Sequence, residues 1–295
     1  MIQNNYNMKK IDTKEIYSKI YEKDGLNYGG FSDGTKDPNK ISTEKYQLEK
    51  IRNYLNIYGI SKNKNVIELG CGYGHNHLCH EKYKGYEYSS AAVTIGREIY
   101  GDSLNITEAD ARNLPIPNST IDFLFTFDAL EHIPELEKVF SEIERILKPG
   151  GYALLAPAWN CRPWTVRKIQ QRPYSDLNLI EKLEKLAIPL RNNLIYRMLM
   201  AIPSRAIGEI KVAFGGKNLE LKYKKLDPDF TLWDKYDHIA DDDAFISIDS
   251  HSAICWFRSR GWIIESHKTL FSRFSCRGEE ILIKKPIKNN IYCNV

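Results

Sequence analysis

Apolar positions along the chain change period several times. From Thr43 to Tyr58 they fall at Tyr46, Leu48, Ile51, Tyr54, Leu55 and Ile57, the spacing of an amphipathic helix. A weaker helical pattern covers Ile16–Tyr21. Short apolar runs then alternate with helical stretches. Asn65–Leu69 reads as a buried strand, Gly74–Lys84 as a helix, Gly85–Tyr88 as a strand and Ala91–Tyr100 as a helix. Leu104–Glu108 and the almost wholly apolar Ile121–Phe127 follow as strands. Leu136, Val139, Phe140, Ile143, Ile146 and Leu147 mark a helix that Lys148-Pro-Gly-Gly151 stops, and Tyr152–Ala156 is a fifth strand. Strands alternating with helices predict an α/β, doubly wound, mostly parallel sheet.

After Ala156 the alternation breaks. Residues 157–243 hold Trp, Arg and Pro clusters and helical stretches, and read as a mainly helical insertion after the fifth strand. Ser250–Arg260 then predicts a helix, and Trp262–Lys268 and Glu279–Lys285 two strands, for seven strands in all. The expected organisation is an N-terminal helical or lid segment (1–60), a core (61–156 and 244–288), the insertion as a substrate-binding or lid region (157–243), and a tail (289–295).

Composition narrows the class. The 295 residues are 42% hydrophobic and 27% charged, as in a globular protein able to bury its own core. A net charge of +4 without a block of like charges gives no reason to expect a nucleic-acid partner. The six cysteines have no paired spacing and read as reduced thiols. Met1 to Lys10 is polar and no run of 18 apolar residues occurs, so neither a signal peptide nor a membrane span is expected. The expected location is cytoplasmic, with peripheral membrane contact as an alternative.

The chemistry begins at Glu68-Leu-Gly-Cys-Gly-Tyr-Gly74, a glycine turn between a strand and a predicted helix. Glycine lets the backbone approach a ligand closely. Glu87 stands 19 positions after Glu68 at a strand end, where an acidic side chain meets the ribose hydroxyls of an adenosine. The third glycine comes one residue earlier than in a dinucleotide fingerprint, and His75 stands where that pattern wants Gly or Ala.

With these residues the chain resembles the class I, Rossmann-like methyltransferases that use S-adenosylmethionine and release S-adenosylhomocysteine. The resemblance spans about residues 64–156, and more weakly 250–285. It implies that Glu68, Gly70, Cys71, Gly72 and Gly74 wrap the methionine part of the cofactor. It implies that Glu87 with Tyr88 holds the ribose, and Asp110 with Ala111 the adenine. Phe127, Asp128 and His132, in Phe127-Asp-Ala-Leu-Glu-His-Ile133, stand beside the methionine and methyl group. Leu147-Lys-Pro-Gly-Gly151 matches the turn into the fifth strand. Alignment of donor and acceptor for in-line displacement supplies about 7–11 kcal/mol in such a reaction.

The acceptor must be sought in the insertion. Tyr28, Trp159, Asn160 and Arg162 are the candidate substrate residues, since a loop at the carboxyl edge of the sheet faces ligands. Arg162, Arg167 and Arg172 are suited to an anionic group such as phosphate, or are solvated surface arginines. Leu183–Phe214 is basic and amphipathic, either a lid or a membrane-surface stretch. His132, Asp243 and His251 are the candidate general bases, because an alcohol acceptor must lose its proton. No metal is expected: Asp241, Asp242 and Asp243 are consecutive and cannot converge easily. Cys71, His75, His77, Cys79 and His80 straddle the glycine turn on different faces. Residues 222–234 and 253–261 also resemble methyltransferases of bacterial capsule and surface-glycan clusters. That resemblance implies O-methylation of a sugar or sugar-linked phosphate group. The alternatives are a quinone-like or other small hydrophobic acceptor, and a non-catalytic cofactor-binding scaffold.

Overall fold

Strand Val66–Leu69 (β1) is buried at every position, its one polar residue, Glu68, included. Tyr83–Glu87 (β2) pairs with it in parallel, Val66 opposite Tyr83, and Ile106–Glu108 (β3) pairs in parallel with β2. The computed structural model describes residues 13–24 and 42–287, so Tyr28 and the tail 289–295 lie outside the described residues. Two helices, Thr13–Asp24 (α1) and Ser42–Ile57 (α2), precede β1. Ser90–Tyr100 (α3) joins β2 to β3 and is capped by the Ser89 hydroxyl, which accepts from the Ala92 backbone N–H.

Ile121–Phe127 (β4) is buried from its first residue to Thr126. Its one charge, Asp122, takes a hydrogen bond from Lys148 Nζ at 2.8 Å. Leu136–Ile146 (α4) buries five of the six stripe positions read from the sequence, Leu136, Val139, Phe140, Ile143 and Ile146, and the sixth, Leu147, opens the next strand. Each such side chain contributes about 1.5–3 kcal/mol. Leu147–Ala156 (β5) pairs in parallel with β4 and takes in the Lys-Pro-Gly-Gly turn expected to precede it, through an irregularity between Ile121 and Phe123.

Short helix Pro163–Val166 (α5) leads to Leu179–Asn192 (α6) and Leu194–Ala213 (α7). A capping box at Asn178 and Glu181 starts α6, and the Asn193 side chain caps α7. Tyr223–Lys225 (β6) and Ile246–Ile248 (β7) form a separate two-stranded antiparallel sheet. Ser250–Arg258 (α8), Ile263–Ile264 (β8), Leu270–Ser275 (α9) and Ile281–Lys284 (β9) complete the described chain.

The main sheet has the order β3-β2-β1-β4-β5-β9-β8, with β9 antiparallel to both of its neighbours. This is the mostly parallel seven-stranded sheet with flanking helices that the alternation predicts. The chain divides into two compact units, Met1–Pro115 and Ile116–Val295. The insertion is therefore no body of its own: residues 157–243 gather with the strands from β4 onward.

Two expected elements are corrected. Gly74–Lys84 is not a helix. Only His75–Cys79 makes a short 3-10 turn, because β2 already starts at Tyr83 to pair with Val66 and leaves too little chain. Trp262–Lys268 keeps only two strand residues, since β8 lies at the sheet's end on β9 alone and a capped helix, α9, starts at Leu270.

Candidate active site

Within the first unit the turn after β1 places Gly70, Gly72 and Gly74 in left-handed backbone, at φ 70°, 52° and 83°. Side chains other than glycine are strained there. The Gly72 N–H donates to Glu87 Oε2 at 2.9 Å, and the Tyr88 and Ser89 N–H groups donate to Glu87 Oε1 at 2.8 and 3.0 Å. A buried carboxylate at the end of β2 thus binds the turn to the strand. Among the described residues, a side-chain carbon at Gly72 would meet only the Tyr21 hydroxyl of α1, at 3.5 Å. Gly96 of α3 could not carry such a carbon, which would sit 2.5 Å from the Tyr73 carbonyl oxygen, so helix and turn are locked together.

Tyr88 and Asp110 share one partner. Arg112 grips Asp110 through Nε at 2.9 and 3.0 Å and through Nη2 at 2.7 Å, and its guanidinium lies 5.9 Å from the Tyr88 ring centre. The Arg112 backbone N–H also donates to Asp110 Oδ1 at 2.9 Å. Ala111 is half-buried inside this loop. Arg112 was not singled out in the sequence, although an aspartate two residues ahead of it favours this local bond.

These residues fit S-adenosylmethionine. Left-handed glycines that let the backbone approach closely, and a strand-end carboxylate matched to ribose hydroxyl donors, suit an adenosine with a short polar tail. Two side chains of the predicted set do not face that site. Glu68 is buried beneath the turn, where Asn76 Nδ2 donates to it at 2.8 Å and the Tyr83 hydroxyl at 2.6 Å. Burial raises its carboxyl to about 7. The Cys71 thiol is buried too, on the side toward Gly85, and burial pushes its pKa well up, so only its backbone is left for the turn. The zinc-like set disperses: His75 Nδ1 meets the Tyr100 hydroxyl, His77 Nδ1 the Gly74 carbonyl, and His80 Nε2 the Ser61 carbonyl.

In the second unit, Phe127 ends β4 half-buried with its ring 6.0 Å from that of Phe125, and Asp128 follows at φ 43°. Leu130–His132 then turns once. His132 stands between two carboxylates, Nδ1 3.3 Å from Asp243 Oδ2 and Nε2 3.6 Å from Glu131 Oε1. Two of the three candidate bases are therefore together. Burial opposes the imidazolium, but the charges of Asp243, Glu131 and Asp241 outweigh it and raise the His132 pKa. Burial pushes Glu131 up to about 7. Neither Glu131 oxygen meets a hydrogen-bond donor at ordinary geometry. Glu131 escaped sequence analysis because nothing local marks it as buried.

The aspartate loop is held from beneath. Lys168, wholly buried, donates to Asp242 and to the Asp237 carbonyl, the latter at 2.8 Å. Asp242 also accepts from the Ile239 N–H at 3.0 Å. Asp242 is thus an anchor, with Asp243 next to it toward His132.

His251 is corrected as a candidate base. It is 2% exposed and packs on Glu209 at 3.2 Å and on Cys255. Burial lowers its pKa. Glu209, His251 and Cys255 have metal-binding atom types within 4.8 Å of one another. The Glu209 carboxylate is already committed to Arg258 at 2.7 Å and to Arg273 at 2.8 and 3.1 Å, so the cluster ties α7 to α8 and α9. Trp159 is likewise corrected: it is buried, with its indole N–H donated to the Glu279 carbonyl at 3.0 Å. Asn160 and Arg162 line a cavity. Arg167 and Arg172 pair with Glu184 and Glu181 and are structural. Many apolar positions of Leu183–Phe214 are exposed, among them Leu183, Leu190, Leu194, Leu199, Ile207 and Phe214, while Ile188 packs against Trp164 and Ile169.

Residues 67–155 match the family model described as a methyltransferase domain. A sterol 24-C-methyltransferase of Gibberella zeae is 32% identical over 32% of this chain and 27% of its own length. The phthiotriol/phenolphthiotriol dimycocerosates methyltransferase of Mycobacterium leprae is 24% identical over 50% of this chain and 57% of its own. Among solved structures, the PH0226 protein of Pyrococcus horikoshii is 24% identical over 50% of this chain and 72% of its own, with a TM-score of 0.40. The chain thus spans about a quarter of the length of the sterol methyltransferase it matches. Residues 67–155 are thus similar to a methyltransferase domain.

Proposed function

We propose that this chain transfers a methyl group from S-adenosylmethionine to an oxygen of a surface-glycan precursor, at a sugar or a sugar-linked phosphate group. The observation that carries the choice of oxygen is His132 set between Asp243 and Glu131. An alcohol needs a base where an amine or thiol needs less help.

The glycine turn, Glu87, Tyr88, Asp110 and Ala111 would hold the cofactor. When bound, it supplies an electrophilic methyl group on sulfonium. Asp243, 3.3 Å from His132 Nδ1, is placed to accept that atom's proton in a hydrogen bond and so to set the tautomer and the ring plane. Nε2 then takes the acceptor's proton. Glu131, with a carboxyl raised to about 7, is placed to share it. Phe127 at the end of β4 presents an aromatic face that excludes water and suits a cation.

A second acceptor class, a lipid or other hydrophobic molecule, is supported by the exposed apolar residues of α6 and α7. Two relatives named for sterol and phthiotriol dimycocerosate methylation point the same way. The test is transfer of labelled methyl to nucleotide sugars, capsule intermediates, quinones and sterols in parallel. Labelled sugar is the expected result. Label confined to quinones or sterols would remove the glycan acceptor, and no label in any class would favour a non-catalytic scaffold.

A further inference from the structure

A cavity of about 400 Å³ is walled, among the described residues, by the second unit: the loop after β5, α7, β6 and β7. That volume is in the range of small-ligand sites, roughly 300–1,000 Å³. Arg162, Arg191, Arg197, Arg277, Lys222 and Lys224 all line it. Among the described residues, the one lining carboxylate, Asp249, is already gripped by Arg205 through two hydrogen bonds, at 3.1 and 2.5 Å. Arg191 has a partner in Glu184 at 3.2 Å. Among the described residues, Arg162, Arg197 and Arg277 form no ion pair with a carboxylate.

Such crowding is costly without a counter-charge. Burial lowers Arg162 to about 10, and the charges of Arg197, Arg191 and Arg277 push it the same way. Burial also lowers Arg197, again with Arg277 adding to the effect. The guanidinium groups are held in place: Arg191 lies 4.4 Å and Arg162 5.7 Å from the Trp164 ring centre. Ser204, Ser247 and Asn160 add neutral hydrogen-bonding groups to the wall. Planar guanidinium forks gathered in one cavity suit a tetrahedral, multiply charged oxyanion, which guanidinium binds through paired N–H donors.

We propose that this arginine-lined cavity is the subsite for a phosphoryl or diphosphoryl group carried by the methyl acceptor. It rests on the functional reading above and narrows the acceptor to a phosphate-bearing molecule. The phosphate belongs either to a water-soluble precursor or to a lipid headgroup.

Calorimetric titration of inorganic pyrophosphate into the full chain tests it. Saturable binding is expected, with at least about a tenfold loss of affinity in Arg197→Ala/Arg277→Ala, since hydrogen bonds to charged groups are the strong ones. Neither substitution orphans a carboxylate, so the variant should fold, and an unchanged melting temperature checks this. Lys62→Ala, an exposed cation of the first unit, should bind as wild type does. Flotation with phosphatidylcholine vesicles with and without phosphatidic acid gives the second arm. Flotation that needs phosphatidic acid and is lost in the double variant assigns the phosphate to a lipid, and pyrophosphate binding without flotation assigns it to a soluble molecule. Absence of both, or equal affinity in the double variant, overturns the proposal. The same samples titrated with S-adenosylmethionine separate the two failures. Cofactor binding without pyrophosphate or phosphatidic acid binding removes only the cavity assignment, and the converse removes the methyltransferase reading and with it the acceptor, leaving an anion-binding cavity alone.

Discussion

His132→Ala is expected to lower kcat by about 10²–10⁴-fold, the usual contribution of a positioned general base. The affinity for S-adenosylmethionine should change little, because the cradle is built from the glycine turn, Glu87 and the Asp110 loop. The imidazole lies 3.3 Å from Asp243 and 3.6 Å from Glu131, and their charges raise its pKa above the ordinary value of about 6.5. A base works only when deprotonated. Activity should therefore rise with pH through that raised pKa, giving an acid limb centred above about 6.5. Asp243→Asn removes one of the charges that raise it, so the limb should move to lower pH while kcat falls. Single-turnover rates measured across pH check both effects, and a wild-type acid limb at or below the ordinary imidazole value would count against His132.

Lys168→Ala should cost about 3–5 kcal/mol of stability, the penalty for breaking a buried pair and leaving one charge behind. Lys168 is 0% exposed and Asp242 only 3%, so no water replaces the lost ammonium. The loop that Lys168 pins also carries Asp243. Surviving protein should thus show reduced kcat as well as reduced stability. Urea unfolding gives the first quantity and a turnover assay the second. Lys168→Met, which keeps most of the side chain's volume, separates lost charge from lost packing. A loss confined to the alanine variant would mean that packing, and not the ion pair, holds the loop.

The core strands and the α4 stripe were legible because their pattern is local and their faces are uniformly buried. The glycine turn and Glu87 were legible for the same reason: a fixed spacing across one strand pair brings them together. Gly74–Lys84 misled because a helix of that length cannot coexist with the parallel pairing that begins at Tyr83. Glu68 sits in the motif, yet alternation along β1 sends it under the turn to Asn76 and Tyr83. His251 looked like a base in a polar cluster, but it faces the buried Glu209 on another helix. The convergence of Arg162, Arg191, Arg197 and Arg277 was out of reach, because it depends on how α6, α7 and the loop before β9 fold back on one another.

The central claim is that the glycine turn and Glu87 hold S-adenosylmethionine. Its most direct test is calorimetric titration of that cofactor into wild type and Glu87→Ala, with melting temperatures recorded because Glu87 also accepts three backbone N–H groups. One saturable site is expected in the wild type. A loss of about ten- to a hundredfold is expected in a folded variant, the effect of removing a charged hydrogen-bond acceptor. No binding to the wild type, or equal affinity in the folded variant, would contradict it.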